Sequence, residues 1–358
     1  MLLDTLLDQS VTPWMVEGGT DGDIVLSSRV RLARNMEGVP FPSRASQEQM
    51  NKVVEEARRS VSDLGGDDQH EYMLVEMDKL SPLERYILVE KHIVSPNFAE
   101  ELSNRGLIIR DDAAVSIMIN EEDHLRIQCL EPGLNLQAAI NMANRVDDIL
   151  EARQSFSFSE QCGYLTACPT NVGTGLRASV MVHLPALVLT RQINRIIAAA
   201  TQLGLAVRGL YGEGSEAIGN IFQISNQLTL GHSEQEIIDN LQNIAKQVVE
   251  QERSAREILA RSSEDALADR VWRAYGILRY ARSMTGKEAM TMLSEVRLGI
   301  DMGIIDGVSA AIFNELLVTT RPNFLQKIAG NGDIQPNERD RLRAQLIREK
   351  IKEGNNNA

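Results

Sequence analysis

The sequence predicts an α+β fold: a mostly antiparallel sheet flanked by helices over residues 1–255, then an all-helical domain over 256–358. Three observations predict it. Apolar residues alternate with a period of two in short runs through the first part of the chain. After Ser233 helical periodicity takes over, with no further strong strand signal. The charge also changes, from a net −15 over 1–255 to +2 over 256–358. A chain of 358 residues suits two domains of ordinary size.

The elements follow in order. Ser46–Leu64 places Met50, Val53, Val54, Ala57 and Val61 on one helical stripe. Tyr72–Met77 reads as a short strand. Ser81-Pro82-Leu83-Glu84 is a helix start, with Ser as N-cap, Pro in the first turn and Glu closing a capping box; that helix should reach His92. Ala113–Asn120 and His124–Leu130 read as strands joined by the acidic turn Glu121-Glu122-Asp123. Leu134–Arg153 reads as a helix, Leu176–Leu184 as a strand and Pro185–Leu203 as one helix. Leu205–Gly209 and Ile221–Ser225 read as strands around a Gly-rich loop. A long helix begins near Glu234, and helices follow near 264–282, 287–302, 308–318 and 336–352. Gly354–Ala358 reads as a frayed end.

Composition narrows the function classes. The net charge of −13 argues against nucleic acid as a partner. The longest apolar runs are too short to span a bilayer, and the first ten residues hold two aspartates and no basic cluster, unlike a signal peptide. Cys129, Cys162 and Cys168 lack metal-finger spacing. The expectation is a cytoplasmic protein with no resident metal site.

Four segments place charge where folding alone would not. In Ser27-Ser28-Arg29-Val30-Arg31, the two arginines project from one face of an extended chain about 7 Å apart. They repel each other unless an anion, such as a polyphosphate, joins them. Taken alone, the segment also suits a strand with a solvated polar face. Asn120-Glu121-Glu122-Asp123-His124-Leu125-Arg126 puts three acids at a turn, which alone also suits a solvated hairpin tip. Cys168-Pro169-Thr170-Asn171-Val172-Gly173-Thr174-Gly175-Leu176-Arg177-Ala178-Ser179 can bring backbone N–H groups close to an anion, although the Walker ending is missing. Arg208-Gly209-Leu210-Tyr211-Gly212-Glu213-Gly214-Ser215-Glu216 describes a glycine-rich loop able to close over a ligand. Together these segments supply five arginines and the carboxylates of Glu122 and Glu213.

In that order the four segments resemble the phosphagen (guanidino) kinase family, over roughly residues 24–230. The resemblance implies that Arg29, Arg31, Arg126, Arg177 and Arg208 grip the phosphates of ATP. The cofactor-binding set it implies also takes in Ser27, Ser28, Val30, His92, Ala178, Ser179, Val180, Met181, Gly209, Leu210, Tyr211, Gly212 and Glu213. Met181 stands where the small-molecule enzymes usually carry a histidine. Glu122 matches the catalytic carboxylate, Glu213 the loop carboxylate that closes on the guanidinium, and Cys168 the thiol beside it. Arg126 belongs to the catalytic set as well. Mg²⁺ would ride on the nucleotide phosphates.

The small-molecule enzymes carry a helical domain of about 100 residues before the SSRVR-type segment. Here 26 residues precede Ser27, and the additional helical domain follows the catalytic one. That arrangement resembles the bacterial protein-arginine kinases over essentially the whole chain. It implies an open substrate side suited to arginine displayed on a polypeptide, with regulated degradation in stress response as the destination. The branch also carries an RDxxRA motif, present as Arg339-Asp340-Arg341-Leu342-Arg343-Ala344. The resemblance makes Arg339, Asp340, Arg343 and Ala344 an allosteric phosphoarginine site, although the residues alone also suit a salt-bridged surface helix. The implied partners are a second copy in a dimer, a zinc-binding activator protein, a heat-shock repressor and a Clp-type unfoldase–protease. The other readings are a free-arginine kinase and a phosphoarginine-binding adaptor without catalysis.

Overall fold

The computed structural model describes residues 2–16, 19–66, 70–209, 217–330, 332 and 334–356. The loop residues Leu210, Tyr211, Gly212 and Glu213 therefore lie outside the described residues. No helix among the described residues is long and apolar enough to cross a membrane.

The chain opens with α1 (Leu2–Asp8), then β1 (Val25–Arg34), α2 (Gln47–Leu64), β2 (Tyr72–Glu76), α3 (Pro82–Glu90) and α4 (Pro96–Glu100). Three strands follow, β3 (Gly106–Arg110), β4 (Val115–Ile119) and β5 (Leu125–Pro132), and then α5 (Leu136–Glu151). A small hairpin, β6 (Phe158–Ser159) and β7 (Gly163–Tyr164), precedes β8 (Leu176–His183), α6 (Pro185–Leu189) and α7 (Ile193–Gln202). After β9 (Leu205–Gly209) and β10 (Ile221–Asn226) come α8 (Glu234–Ser262), α9 (Glu264–Tyr280), α10 (Gly286–Asp301), α11 (Ala311–Thr319), α12 (Pro322–Ile328) and α13 (Pro336–Asn356).

The main sheet has eight strands in the order β2-β3-β4-β5-β1-β8-β10-β9, every neighbouring pair antiparallel. The α+β class follows as expected, with helices alone after β10. Two helix starts form as their sequences require. The backbone N–H of Gln49 donates to Ser46 Oγ and that of Glu84 to Ser81 Oγ, and each cap is closed by the return bond of a capping box. Several features depart from expectation. The helix expected over Pro185–Leu203 breaks into α6 and α7, because Arg191 adopts a left-handed φ of 58° that no helix continues through. Helices α1, α4 and α12, strand β3 and the β6–β7 hairpin were not anticipated; all are short and none carries strong periodicity. Helix α13 continues through Asn356 instead of ending near 352.

Pleating gives the sheet two unlike faces. Val30 and Leu32 of β1, Ile127 and Cys129 of β5, and Ala178 and Val180 of β8 all point to one side and are fully buried. They pack with Val53 and Ala57 of α2, Ala143 of α5 and Leu241 of α8 in one core. The other side carries Arg29, Arg31, Arg126, Arg177 and Ser179.

The helical region docks at the edges of that second side. His183 Nε2 meets Ser294 Oγ at 2.8 Å, and Asn220 donates to the same hydroxyl at 2.8 Å. Arg297 donates to Gly22 O (3.1 Å) and Asn314 to Met15 O (3.3 Å). Residue 255 lies inside the continuous helix α8.

Candidate active site

Register explains why the charged residues converge. Arg31 of β1 lies directly opposite Arg177 of β8, and Arg29 opposite Ser179. Ala33 faces Arg126 of β5. Gln223 of β10 faces Met181 on one side and Arg208 of β9 on the other. With side chains alternating along each strand, these residues share one face. Like charges directly opposite one another destabilise a sheet, so the Arg31–Arg177 pair is a cost that the fold alone does not explain.

Four of the arginines, Arg31, Arg126, Arg177 and Arg208, line a cavity of about 310 Å³ together with Glu122, Cys168, Asn171, Gln223 and Ser225. Burial, and then the charges of Arg29, Arg126 and Arg177, press the Arg31 guanidinium well below the usual arginine range; Glu121 acts weakly the other way. Its Nε is buried without a hydrogen-bond partner among the described residues. Burial followed by repulsion from Arg208 lowers Arg177 as well. Arg29 is better held: it donates to Gln223 Oε1 at 2.9 Å and to Ser179 Oγ at 3.4 Å.

The acidic turn divides its labour. Asp123 is buried and accepts from Asn35 Nδ2 and from Ala167 N, both at 2.7 Å, which ties the turn to the segment leading into Cys168. The backbone N–H of His124 donates to Asn35 Oδ1 at 2.9 Å. His124 Nδ1 accepts from Met36 N, so its proton sits on Nε2, which donates to Pro40 O. Glu121 is buried and pairs with Arg126, and Ser95 Oγ donates to it. Glu122, with 47% of its side chain exposed, projects into the cavity and accepts from Arg126 Nη2 at 3.0 Å. Of three consecutive acids, two anchor the turn and one faces the open site.

The Cys168 loop is locked by close backbone packing. Gly175 has φ +68°, and a Cβ there would stand 2.6 Å from Ala33 O. Thr229 Oγ1 donates to Val172 O at 2.6 Å. Cys168 Sγ lies 3.1 Å from Thr170 Oγ1 at the cavity wall.

Beyond Arg31, two further hollows continue along the same face. One is lined by Trp14, Ser27, Arg29, His92, Ser179 and Met181. The other, of about 390 Å³, is lined by Arg29, Arg31, Glu90, His92, Gln128 and Arg321, among others. His92 has a left-handed φ of 60°, and the Trp14 ring meets it edge-on at 5.3 Å. Burial first, then Arg29 and Arg321, push its pKa down to about 3, so its ring is neutral.

Several sequence-predicted residues sit elsewhere. The pleat turns Val30, Ala178 and Val180 into the core, so their side chains do not line the cavities. Ser28 is also on the far face, donating to Gly133 O and accepting from Asn135 N to fix the turn after β5. Arg208 and Gly209 end β9 beside the cavity, while Leu210, Tyr211, Gly212 and Glu213 lie outside the described residues. At the C-terminal motif, Arg343 is buried and donates to Thr320 O (2.9 Å), Met284 O (2.8 Å) and Asp340 Oδ1 (2.5 Å). Ala344 is packed in the core, and Arg339 and Asp340 are half-buried. Trp14, Asn35, Gln223 and Arg321 escaped sequence reasoning, because each lies apart from the charged segments or depends on a distant partner.

Comparison with known proteins bears directly on this arrangement. Residues 51–255 match the family model of the ATP:guanido phosphotransferase C-terminal catalytic domain. Residues 264–358 match that of the protein-arginine kinase McsB C-terminal domain. The protein-arginine kinase of Bacillus subtilis is 53% identical over 98% of this chain and 96% of its own length. That of Desulforamulus reducens is 51% identical over 98% of both. The chain belongs to the protein-arginine kinase family. Solved structures agree on the fold. Lombricine kinase superposes with a TM-score of 0.58 at 28% identity, over 69% of this chain and 70% of that one. The duplicated taurocyamine kinase of Schistosoma mansoni, with bound transition-state-analogue components, gives 0.60 at 26% identity, over 75% of this chain and 38% of that one. As in other ATP:guanido phosphotransferases, ATP is the phosphoryl donor.

Proposed function

We propose that this kinase transfers the γ-phosphoryl group of ATP to a guanidinium nitrogen of arginine residues in proteins. The observation that carries the reading is the arginine cluster around Arg31. A polyanion would relieve its mutual repulsion, and Glu122 faces the same cavity. The transferred phosphoryl group passes through a loose state with charge spread over its oxygens, so positioning and cations supply most of the catalysis. Arg126, Arg177 and Arg208 surround the cavity that holds Glu122 and would stabilise that charge; Arg31 and Arg29 extend the cationic face along the nucleotide.

A guanidinium with a pKa above about 12 is a poor nucleophile. Glu122 and Glu213 together would hold its N–H groups by paired hydrogen bonds and align one nitrogen, beside Glu122, with phosphorus. As the N–P bond forms and the bond from γ-phosphorus to the bridging oxygen breaks, ADP leaves and the guanidinium proton passes to the Glu122 carboxylate. Glu213 is the proposed second carboxylate, closing from its loop, and Cys168 lies beside the guanidinium. Mg²⁺ would neutralise the phosphate oxygens. The donor set fits a cation carried by the nucleotide, since Glu121 and Glu122 both pair with Arg126 and the other charged residues of the cavity wall are arginines.

A phosphoarginine-binding role for the C-terminal motif fits best at Arg339 and Asp340, with buried Arg343 holding Asp340 in place. We extend the same proposal to a dimer, a cytoplasmic location, a role in stress-linked degradation, and partnership with a zinc-binding activator, a heat-shock repressor and a Clp-type unfoldase–protease. The test is mass spectrometry of an unfolded basic protein after incubation with Mg-ATP, at a neutral or basic pH that preserves the N–P bond. Phosphate on arginine is expected; phosphate on free arginine in its place would make the protein a phosphagen kinase.

A further inference from the structure

The 390 Å³ hollow is walled by both halves of the molecule. Arg29, Arg31, His92 and Gln128 come from the sheet face and its adjoining loop, and Arg321 comes from the helical region, just before α12. Three arginines thus line one hollow. Glu90, the carboxylate in its lining, feels the charge of Arg321 and is also held by the start of α12. It accepts from Asn323 N (3.0 Å), Asn323 Nδ2 (2.7 Å) and Phe324 N (2.9 Å), which pins the start of α12 to the end of α3. From the other side Arg343 of α13 donates to Thr320 O. Arg321 is therefore clamped on both flanks, by Glu90 two residues further on and by Arg343 through its immediate neighbour. With the backbone on both sides of Arg321 fixed, a contact from its side chain carries no further cost of ordering the loop.

The charge of the hollow selects the ligand class. Three arginines against the one carboxylate of Glu90 leave the hollow net positive, which favours an anion, and Arg31 is shared with the cavity that contains Glu122. If the γ-phosphoryl group lies by Glu122, the nucleotide's remaining phosphates run past Arg31 toward Arg29, where Arg321 stands. Arg321 also lies close enough to His92 for its charge to be felt there.

We propose that Arg321, supplied by the helical region, is a nucleotide-binding residue that meets the α-phosphate end of ATP, so that the nucleotide site is built from both halves of the chain. This rests on the reading that the arginine face holds ATP.

The experiment measures Mg-ADP and Mg-ATP binding by calorimetry, with steady-state kinetics, in the full-length wild type, R321Q, R321K and N323A. A charge-assisted hydrogen bond lost from a phosphate predicts binding weaker by at least about ten-fold in R321Q. The expected pattern is a raised KM for ATP, an unchanged KM for the protein substrate and partial recovery in R321K. N323A removes the side-chain contact to Glu90 but keeps Arg321; if it weakens nucleotide binding as much as R321Q does, Arg321 acts by holding the fold and the proposal fails. It fails too if R321Q binds ADP like the wild type. A wild type that binds no nucleotide and leaves no phosphate on arginine would instead overturn the proposed function itself.

Discussion

Strand β1 carries two kinds of arginine three residues apart. Arg34 is fully buried and matched: it makes a forked ion pair with Asp147, donates to Thr174 O, and lies 3.6 Å over the Tyr164 ring. Arg31 is crowded by other cations, and its Nε has no partner among the described residues. The helical region follows the first pattern. Arg297 pairs with Asp301 and donates to Ala310 O, Arg256 pairs with Glu252, and Arg343 holds two carbonyls. In these arginines the guanidinium is matched by carboxylates and carbonyls of the fold. Arg31 instead stands among other cations, and that crowding is what a bound polyanion would relieve.

The largest expected effect lies on the unbalanced side. Glu122→Ala removes the proposed proton acceptor, and phosphoarginine formation should fall by about 10²–10⁴-fold, read by the mass-spectrometric assay. Its unfolding midpoint should stay near that of the wild type, because Glu122 is half-exposed and, among the described residues, its side chain bonds to Arg126. Retained turnover would place the chemistry elsewhere.

How far the sequence could see follows the same division. The alternation of Arg29 and Arg31 with Val30 was legible because a period of two is a local signal, and so were the capping boxes at Ser46 and Ser81. The pairing of Arg31 with Arg177 is a register fact, fixed by residues nearly 150 positions apart. The distinct duties of Glu121, Glu122 and Asp123 depend on Asn35, Ser95 and Ala167, none of which flags itself in the chain. The core positions of Ser28, Val30, Ala178 and Val180 show the limit of carrying a motif over whole, since every second residue of a strand faces away from the site. Arg321 was invisible for the same reason: only docking of the helical region brings it to the sheet.

The two arginines of β1 offer the sharpest break of the comparison. Arg34→Ala strands Asp147 as a buried, unpaired carboxylate and should destabilise the protein by about 3–5 kcal/mol in urea unfolding. Arg31→Ala relieves repulsion, so its stability should change by less than about 0.5 kcal/mol, or rise, while its activity falls more than tenfold. Equal destabilisation by the two would mean that Arg31 is structural after all.

Ligand should supply what the fold lacks. Mg-ADP at 100 times its dissociation constant should raise wild-type stability by about 2.7 kcal/mol, seen as an upward shift in the thermal midpoint. Arg31→Ala should lose most of that shift at the same ADP concentration. A full shift in the variant would detach the arginine cluster from nucleotide binding.

The smallest effect concerns histidines on the two sides. His183 is buried against Ser294 and Phe313 of the helical region, and His92 faces the ligand hollow against Trp14. Burial lowers both. For His92 the pKa falls from 6.5 in the unfolded chain to about 3 when folded. Above pH 6.5 neither state is protonated and the group contributes no pH dependence. As pH falls below 6.5 the unfolded chain binds a proton that the folded one refuses, so stability drops by about 1.4 kcal/mol per pH unit until the folded pKa is reached. Asparagine tolerates the left-handed backbone at this position, so His92→Asn should fold. Between pH 7 and pH 5.5 the wild type should lose about 1.4 kcal/mol more than His92→Asn in urea unfolding, with the His183 contribution cancelling in the difference. Parallel slopes for the two proteins would mean that the His92 ring is protonated as readily in the fold as in water, and the assignment of a lowered pKa would fall.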